Sequence, residues 1–139
     1  MKMWKYYAFL SALFAAATAI FAKLGVQTVN SNLATAIRTT IILVLTWSIV
    51  LLGNHATELR EVSRATWLFL LLSGVSTGLS WLFYFKALQV GDVSRVASVD
   101  KLSIVLTLVL AFVFLHEQMS IKVLIGAVLI AAGSILMVV

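Results

Sequence analysis

The chain has 139 residues, of which 63% are hydrophobic and 11% charged, and its mean hydropathy is +1.12. Soluble domains carry roughly 25% charged residues, and a soluble core of this length cannot bury so much apolar surface. The composition therefore excludes a soluble protein and favours one embedded in a lipid bilayer. The net charge of +5 is the balance of ten Lys and Arg against five Asp and Glu residues. The basic residues form no run, which indicates anchors at the membrane ends rather than nucleic-acid binding.

Five apolar segments follow one another along the chain. Each is close to the roughly 20 residues that cross a hydrocarbon layer of about 30 Å as a helix. The segments are Trp4–Ala22, Leu33–Leu52, Trp67–Ala87, Val96–Leu115 and Ile121–Val139, and Gly53–Ala65 is the longest polar stretch between them. We expect a surface loop there and short turns elsewhere, which make consecutive helices antiparallel. The sequence predicts an all-α polytopic membrane protein with five transmembrane helices and a single domain over residues 1–139.

The first segment opens with basic and aromatic residues, which is typical of an anchor at the membrane interface. These residues are Lys2, Trp4, Lys5, Tyr6 and Tyr7. A cleaved signal peptide is the alternative. We expect a membrane-spanning helix instead, because the apolar run continues to Lys23 and four similar segments follow. Small residues, among them Ala15 and Ala19 here and Gly126 and Gly133 in the last segment, indicate close packing between helices or subunits.

The third segment has two stripes on neighbouring helix faces. Hydroxyl groups occupy one stripe, and the other has two glycines in GxxxG spacing. The first consists of Ser73, Thr77, Ser80 and Tyr84, and the second of Gly74, Gly78 and Trp81. One interpretation is helix packing, with hydroxyls bonded to another helix or to their own helix four residues back. The other is a cavity wall, to which Trp81 and Tyr84 supply apolar surface and polar tips.

Three charged residues lie inside apolar segments, namely Arg38, Asp100 and Lys101. Adjacent residues of a helix point about 100° apart, so we expect Asp100 and Lys101 not to pair with each other. Arg38 lies at comparable depth, which favours an Arg38–Asp100 pair. That pair either locks two helices together or belongs to a substrate or ion site, since charges inside a bilayer are costly and often mark a pathway.

The residues that usually build catalytic or metal sites are absent from the sequence. There is no cysteine and no proline, which excludes thiolate nucleophiles and Cys-based metal sites and leaves helix breaks to glycine or packing. His55 and His116 stand alone, and we expect loop or interface residues rather than metal ligands. HExxH and GxSxG motifs and phosphate-binding glycine loops are also missing. We therefore expect no metal, no cofactor and no enzymatic activity.

The stretch from Ser73 to Ser103 reads SGVSTGLSWLFYFKALQVGDVSRVASVDKLS, and FLHE, IFAKLGV and LATAIRT occur elsewhere. Together they resemble the EamA family of the drug/metabolite transporter superfamily, in its single-repeat, five-helix form, over essentially the whole chain. The resemblance implies a multi-pass plasma-membrane protein, mostly bacterial or archaeal, that moves small metabolites or toxic organic compounds. Larger relatives of this kind carry two such units with opposite topologies.

Twelve positions match the family pattern: Lys23, Arg38, Gly74, Gly78, Trp81, Tyr84, Lys86, Gly91, Arg95, Asp100, Lys101 and Glu117. The chain departs from the pattern at Ser98, where such proteins often have proline before the Asp-Lys pair. It departs again at His116, where glycine often precedes the glutamate. The resemblance implies a bend at the start of the fourth helix, and the serine at position 98 leaves open whether this chain has that bend.

Basic residues are nearly balanced between the two membrane ends. Lys2, Lys5, Arg60, Arg64 and Lys122 gather at one end, and Lys23, Lys86 and Arg95 at the other, with Arg38 and Lys101 deeper. The balance gives only a weak preference for a cytoplasmic N-terminus and is also expected of a protein that inserts in both orientations. We hypothesise a homodimer of oppositely oriented copies, with its site near the midplane where two inverted repeats meet.

In this hypothesis the substrate or ion pathway is lined by Arg38, Thr77, Ser80, Trp81, Tyr84, Asp100 and Lys101. Arg38 and Lys101 attract an anionic group, Asp100 competes with it or carries a proton, and the two aromatic rings stack on the apolar part. Two alternatives stay open: a structural or accessory membrane subunit, and a half-transporter that needs a paralogous partner.

Overall fold

A computed structural model describes residues 3–139, so Lys2 lies outside the described residues. All regular elements of this part of the chain are helical. They are α1 (Met3–Val26), α2 (Ser31–Leu52), a 3₁₀ helix (His55–Glu61), α3 (Arg64–Val90), α4 (Val93–Asp100), α5 (Ser103–Leu115) and α6 (Ile121–Leu136). The all-α prediction is confirmed for residues 3–139.

Four helical stretches within residues 3–139 are long and apolar enough to cross a membrane. They are α1, α2, α3 and the stretch Val93–Leu115, which contains α4 and α5. The apolar helix α6 has 16 residues, a length of about 24 Å, and is therefore shorter than a hydrocarbon layer of about 30 Å. α1 and α3 extend beyond their predicted bounds at both ends, because polar and charged residues such as Lys23, Arg64 and Gln89 are also accommodated in the helical turns.

The polar segment between α2 and α3 is partly helical, whereas the sequence predicts a loop. Asn54 adopts a left-handed conformation with φ of 58°, which ends α2 and turns the chain into the 3₁₀ helix. With three residues per turn, Ala56 and Leu59 share one face, and they line a cavity of about 310 Å³ together with Trp47 of α2. His55 Nδ1 lies 2.6 Å from Glu58 Oε1 on the exposed side.

Residues 22–89 form one compact unit. Its buried side chains lie in the end of α1, the start of α2 and the end of α3: Ala22, Val26, Ser31, Thr35, Phe85 and Leu88. The hydroxyl of Thr35 donates to the carbonyl of Ser31 at 2.9 Å, so this buried polar group is satisfied within its own helix. The buried residues of this unit are thus concentrated where α1 ends, α2 begins and α3 ends.

Residues 3–21 and 90–139 form a second compact unit. α4 and α6 are in contact, and the buried hydroxyl of Ser98 lies 2.9 Å from Met137 Sδ just beyond α6. α5 and α6 enclose a groove of about 500 Å³ with an apolar lining that includes Phe112 and Ala127.

The fourth apolar segment is interrupted, although the sequence predicts one helix over Val96–Leu115. The amides of Lys101, Leu102 and Ile104 donate to carbonyls three residues back, at 3.0 to 3.1 Å. This pattern is a 3₁₀ turn, and it separates α4 from α5.

The interruption contains neither glycine nor proline. It follows Ser98, whose hydroxyl donates to the carbonyl of Ser94 at 2.7 Å. Such bonds four residues back bend helices, and Ser98 also packs against the end of α6. The same bond at Thr35 and Ser48 leaves α2 unbroken, so the bond alone does not explain the break. The break is present although the chain has serine where the family resemblance implies proline.

Candidate functional site

Arg38 lies against the aromatic face of α3. The central carbon of its guanidinium is 4.0 Å from the ring centroid of Trp81 and 5.3 Å from that of Phe85. Arg38 is seven residues beyond Ser31, the first residue of α2, a depth of about 10 Å along the helix. Cation–π contacts contribute about 0.5–2 kcal/mol, with the larger values where water is excluded.

Arg38 has aromatic partners but no carboxylate partner within its own unit. The acidic residues in the range 22–89 are Glu58 and Glu61, both in the 3₁₀ helix. The ion pairs of the described residues do not include Arg38. A guanidinium stays charged and has five N–H donors in its plane. A carboxylate would accept hydrogen bonds from these donors, whereas the face of an aromatic ring attracts the positive charge and leaves the donors available. The half-buried side chain is thus able to bind an oxyanion.

Asp100 and Lys101 pair with each other, so the prediction that they do not is wrong. Lys101 Nζ lies 3.7 Å from Asp100 Oδ2, and both side chains are exposed. The prediction assumed one regular helix through both residues, whereas α4 ends at Asp100 and Lys101 lies in the 3₁₀ turn. The flexible lysine stem is long enough to fold back onto the preceding residue. The Arg38–Asp100 pair stays a prediction.

The two stripes of α3 differ in burial. On the hydroxyl stripe Ser73, Thr77 and Ser80 are exposed, and Tyr84 is half-buried. On the other stripe Gly78 and Trp81 are half-buried, and the face continues into the buried Phe85 and Leu88. Among the residues of the predicted pathway, the ring of Trp81 lies under the Arg38 guanidinium and Tyr84 interacts with it electrostatically, while Thr77 and Ser80 lie on an exposed surface.

Phe85 is the residue of this site that the sequence analysis does not identify. Its side chain is 3% exposed, and it follows Trp81 by four residues, the spacing that places two side chains on the same helix face. That spacing is the signal that could have identified it.

The glycines predicted to pack closely face open space in the described chain. At Gly74, Gly78, Gly126 and Gly133 an added Cβ has no neighbouring heavy atom within 4 Å. Of the two alanines predicted to pack, Ala19 is buried and Ala15 is exposed. Within residues 3–139 the glycine faces are therefore left without a closely packed helix.

Side chains at the ends of α1 and α3 reach each other's terminal carbonyls. Lys23 Nζ donates to the carbonyl of Leu88 at 2.7 Å. Gln89 Nε2 donates to the carbonyls of Val29 at 3.1 Å and Val26 at 3.4 Å. The last carbonyls of a helix have no donor within that helix, so these contacts satisfy them and fix the end of α3 that carries the aromatic face.

The helical fold, with four stretches long and apolar enough to cross a bilayer within residues 3–139, is that of a multi-pass membrane protein. No three His, Cys, Asp or Glu side chains of residues 3–139 are grouped to hold a metal ion. Residues 2–139 match the EamA-like transporter family, and the chain belongs to this family. It is also similar to a protein of Sinorhizobium sp. described as an uncharacterized transporter in the cobO 3' region, with 48% identity over 138 residues, 99% of this chain and 98% of that one. No solved structure matches the chain.

Proposed function

We propose that this protein is a secondary transporter of small organic solutes, either metabolites or toxic compounds, with five spans in the plasma membrane. The observation that carries the proposal is a charged Arg38 about 10 Å inside α2, held 4.0 Å from Trp81. Charged groups at such depth usually line a pathway, and the transporter family to which the chain belongs supports the same function.

The working assembly in this proposal is a homodimer of two oppositely oriented copies. Five spans are too few to enclose a path easily, and transporters of this kind place their site between inverted repeats that rock against each other. The nearly balanced basic residues at the two membrane ends support insertion in both orientations. The open space beside Gly74, Gly78, Gly126 and Gly133 supports a seam with a second copy.

Proton coupling is assigned to Asp100 in this proposal. Its carboxylate lies at the break between α4 and α5 and 3.7 Å from Lys101. A carboxylate inside an apolar stretch that gains and loses a proton changes its pairing with the lysine, which couples protonation to the local conformation.

Reconstitution of the purified full-length chain in liposomes, with a solute panel inside and a pH gradient across the membrane, tests the proposal. Solute movement by this chain alone supports a homodimeric transporter. No movement without a second membrane protein favours a half-transporter or an accessory subunit. Reporter tags at each terminus test the assembly, since a C-terminus found on one side only excludes oppositely oriented copies.

A further inference from the structure

The membrane-embedded cations of the chain differ in their partners. Lys101 has the carboxylate of Asp100 at 3.7 Å, whereas Arg38 has the rings of Trp81 and Phe85 at 4.0 and 5.3 Å. Aromatic faces offset only part of the cost of a charge inside a bilayer. An anionic ligand therefore gains more at Arg38 than at Lys101.

The contacts of Arg38 also prepare it for one type of anion. Its planar fork of N–H donors matches the two oxygens of a carboxylate in a bidentate pair. Packing on Trp81 and Phe85 restricts the long side chain before a ligand arrives, which lowers the entropy lost on binding.

One guanidinium neutralises one negative charge. The range 22–89 has four other basic residues, and they lie near helix ends or in the 3₁₀ helix: Lys23, Arg60, Arg64 and Lys86. Among them, Lys23 already donates to the carbonyl of Leu88. A second negative charge at the depth of Arg38 would thus have no cation of this unit at the same depth.

We infer that the substrates are organic monocarboxylates with an apolar body, and that Arg38 binds their carboxylate. The inference rests on the proposed transport function and narrows it to one class of solute. It assigns the anion-binding role to Arg38 and leaves Lys101 paired with Asp100.

Acids compared with their own amides test the class of ligand. Binding of benzoate, phenylacetate and hexanoate to the full-length protein in lipid nanodiscs is measured by calorimetry, beside benzamide, phenylacetamide and hexanamide. At least one acid is expected to bind about tenfold or more tightly than its amide, since hydrogen bonds to charged groups are the stronger ones. If no acid binds more tightly than its amide, the inference is wrong.

Substitution locates the anion site. Arg38→Lys keeps the charge but removes the bidentate fork and is expected to lower the affinity for the preferred acid about tenfold. Arg60→Lys is the matched control in the exposed 3₁₀ helix and is expected to leave the affinity for the preferred acid unchanged. Equal affinities of wild type and Arg38→Lys overturn the assignment, as does an equal loss in both variants.

The fluorescence of Trp81 gives a second readout that leaves Arg38 in place. The chain has four tryptophans, and the triple variant Trp4→Phe, Trp47→Phe, Trp67→Phe keeps only Trp81. A saturating concentration of the preferred acid is expected to change the emission of this variant, because the ligand binds the group in contact with the indole. Unchanged emission at saturation contradicts a site at Arg38.

Transport assays separate this inference from the proposed function. If the acid binds through Arg38 but does not cross liposome membranes, the anion site stands and the transport function fails. If neutral or cationic solutes cross at equal rates with wild type and Arg38→Lys, transport stands and the monocarboxylate inference fails.

Discussion

The ammonium group of Lys23 donates a 2.7 Å hydrogen bond to the carbonyl of Leu88, 65 residues further along the chain. Gln89 makes the reciprocal contact, with its amide directed at the carbonyl of Val26. Each helix thus supplies a donor to the C-terminal carbonyls of the other, where the negative end of the helix dipole also favours a cation. Trp81 lies less than two turns before Leu88, so the same contacts hold the aromatic face that Arg38 packs against.

Replacing Lys23 with methionine is expected to destabilise the protein. Lys23→Met keeps a side chain of similar length but removes the charged donor, and a lost hydrogen bond from a charged group costs about 1.5–3 kcal/mol. Thermal unfolding of the purified protein in detergent measures the change. Lys86→Met is the control, since it removes one exposed lysine from α3, and equal melting temperatures for the two variants would contradict the role of Lys23.

Asp100→Asn is expected to abolish proton-driven solute uptake while the protein remains folded. The asparagine has similar size but does not exchange a proton, so the proposed coupling to Lys101 is lost. Uptake into liposomes with and without a pH gradient measures the effect. Asp92→Asn is a matched control, because Asp92 also pairs with a nearby cation, Arg95, at 3.9 Å. Unchanged uptake in Asp100→Asn removes this carboxylate from the mechanism.

His116→Gly is expected to stabilise the protein. His116 ends α5 in a left-handed conformation with φ of 53°, which costs a residue with a side chain roughly 1–2 kcal/mol. Glycine adopts this conformation readily, in keeping with the glycine that the family resemblance implies at this position. The greater flexibility of glycine in the unfolded chain offsets part of the relieved strain. The free energy of unfolding is therefore expected to rise by about 1 kcal/mol.

Asn54→Gly provides the comparison for His116→Gly. Asn54 has φ of 58°, but asparagine tolerates the left-handed region better than histidine. Asn54→Gly is therefore expected to raise the free energy of unfolding by less than His116→Gly does. Melting temperatures of the two variants decide the order. A His116→Gly protein that melts below the wild type would show that the histidine side chain makes a contribution larger than the backbone strain.

The apolar helices were predictable from sequence because the bilayer selects for length and composition, which are properties of a single segment. Arg38 and Trp81 were also identified, since a charge in an apolar segment is conspicuous without knowledge of its neighbours. Their mutual contact was not predicted, because it depends on which face of α3 turns toward α2. Phe85 was missed for the same reason, since one phenylalanine among eight carries no signal by itself.

The pair of Asp100 and Lys101 shows where helical periodicity fails. The argument that neighbours diverge by about 100° holds for a regular α-helix. In the 3₁₀ turn at Lys101 and Leu102 neighbours diverge by about 120°, so the backbone geometry does not bring the two side chains together. The flexible lysine stem folds back onto Asp100, and residue spacing carries no signal for such a contact.

The open glycine face of α3 leads to the last prediction, which concerns assembly. Gly74 and Gly78 have no heavy atom within 4 Å of an added Cβ, so larger side chains meet no obstacle within one copy. The double variant Gly74→Leu, Gly78→Leu is therefore expected to fold and yet to dimerise more weakly, by about 1–2 kcal/mol or roughly tenfold, if the two backbones approach each other at a GxxxG seam.

Single-molecule photobleaching in lipid bilayers measures the dimer fraction at defined protein-to-lipid ratios. Gly25→Leu is the matched control, because Gly25 of α1 also has open space around it but lies outside the GxxxG pair. The expected result is a dimer fraction that falls for the α3 variant and not for Gly25→Leu. A dimer that survives both substitutions unchanged places the seam elsewhere, and the glycines of α6 are then the next face to substitute, since Gly126 and Gly133 are equally open.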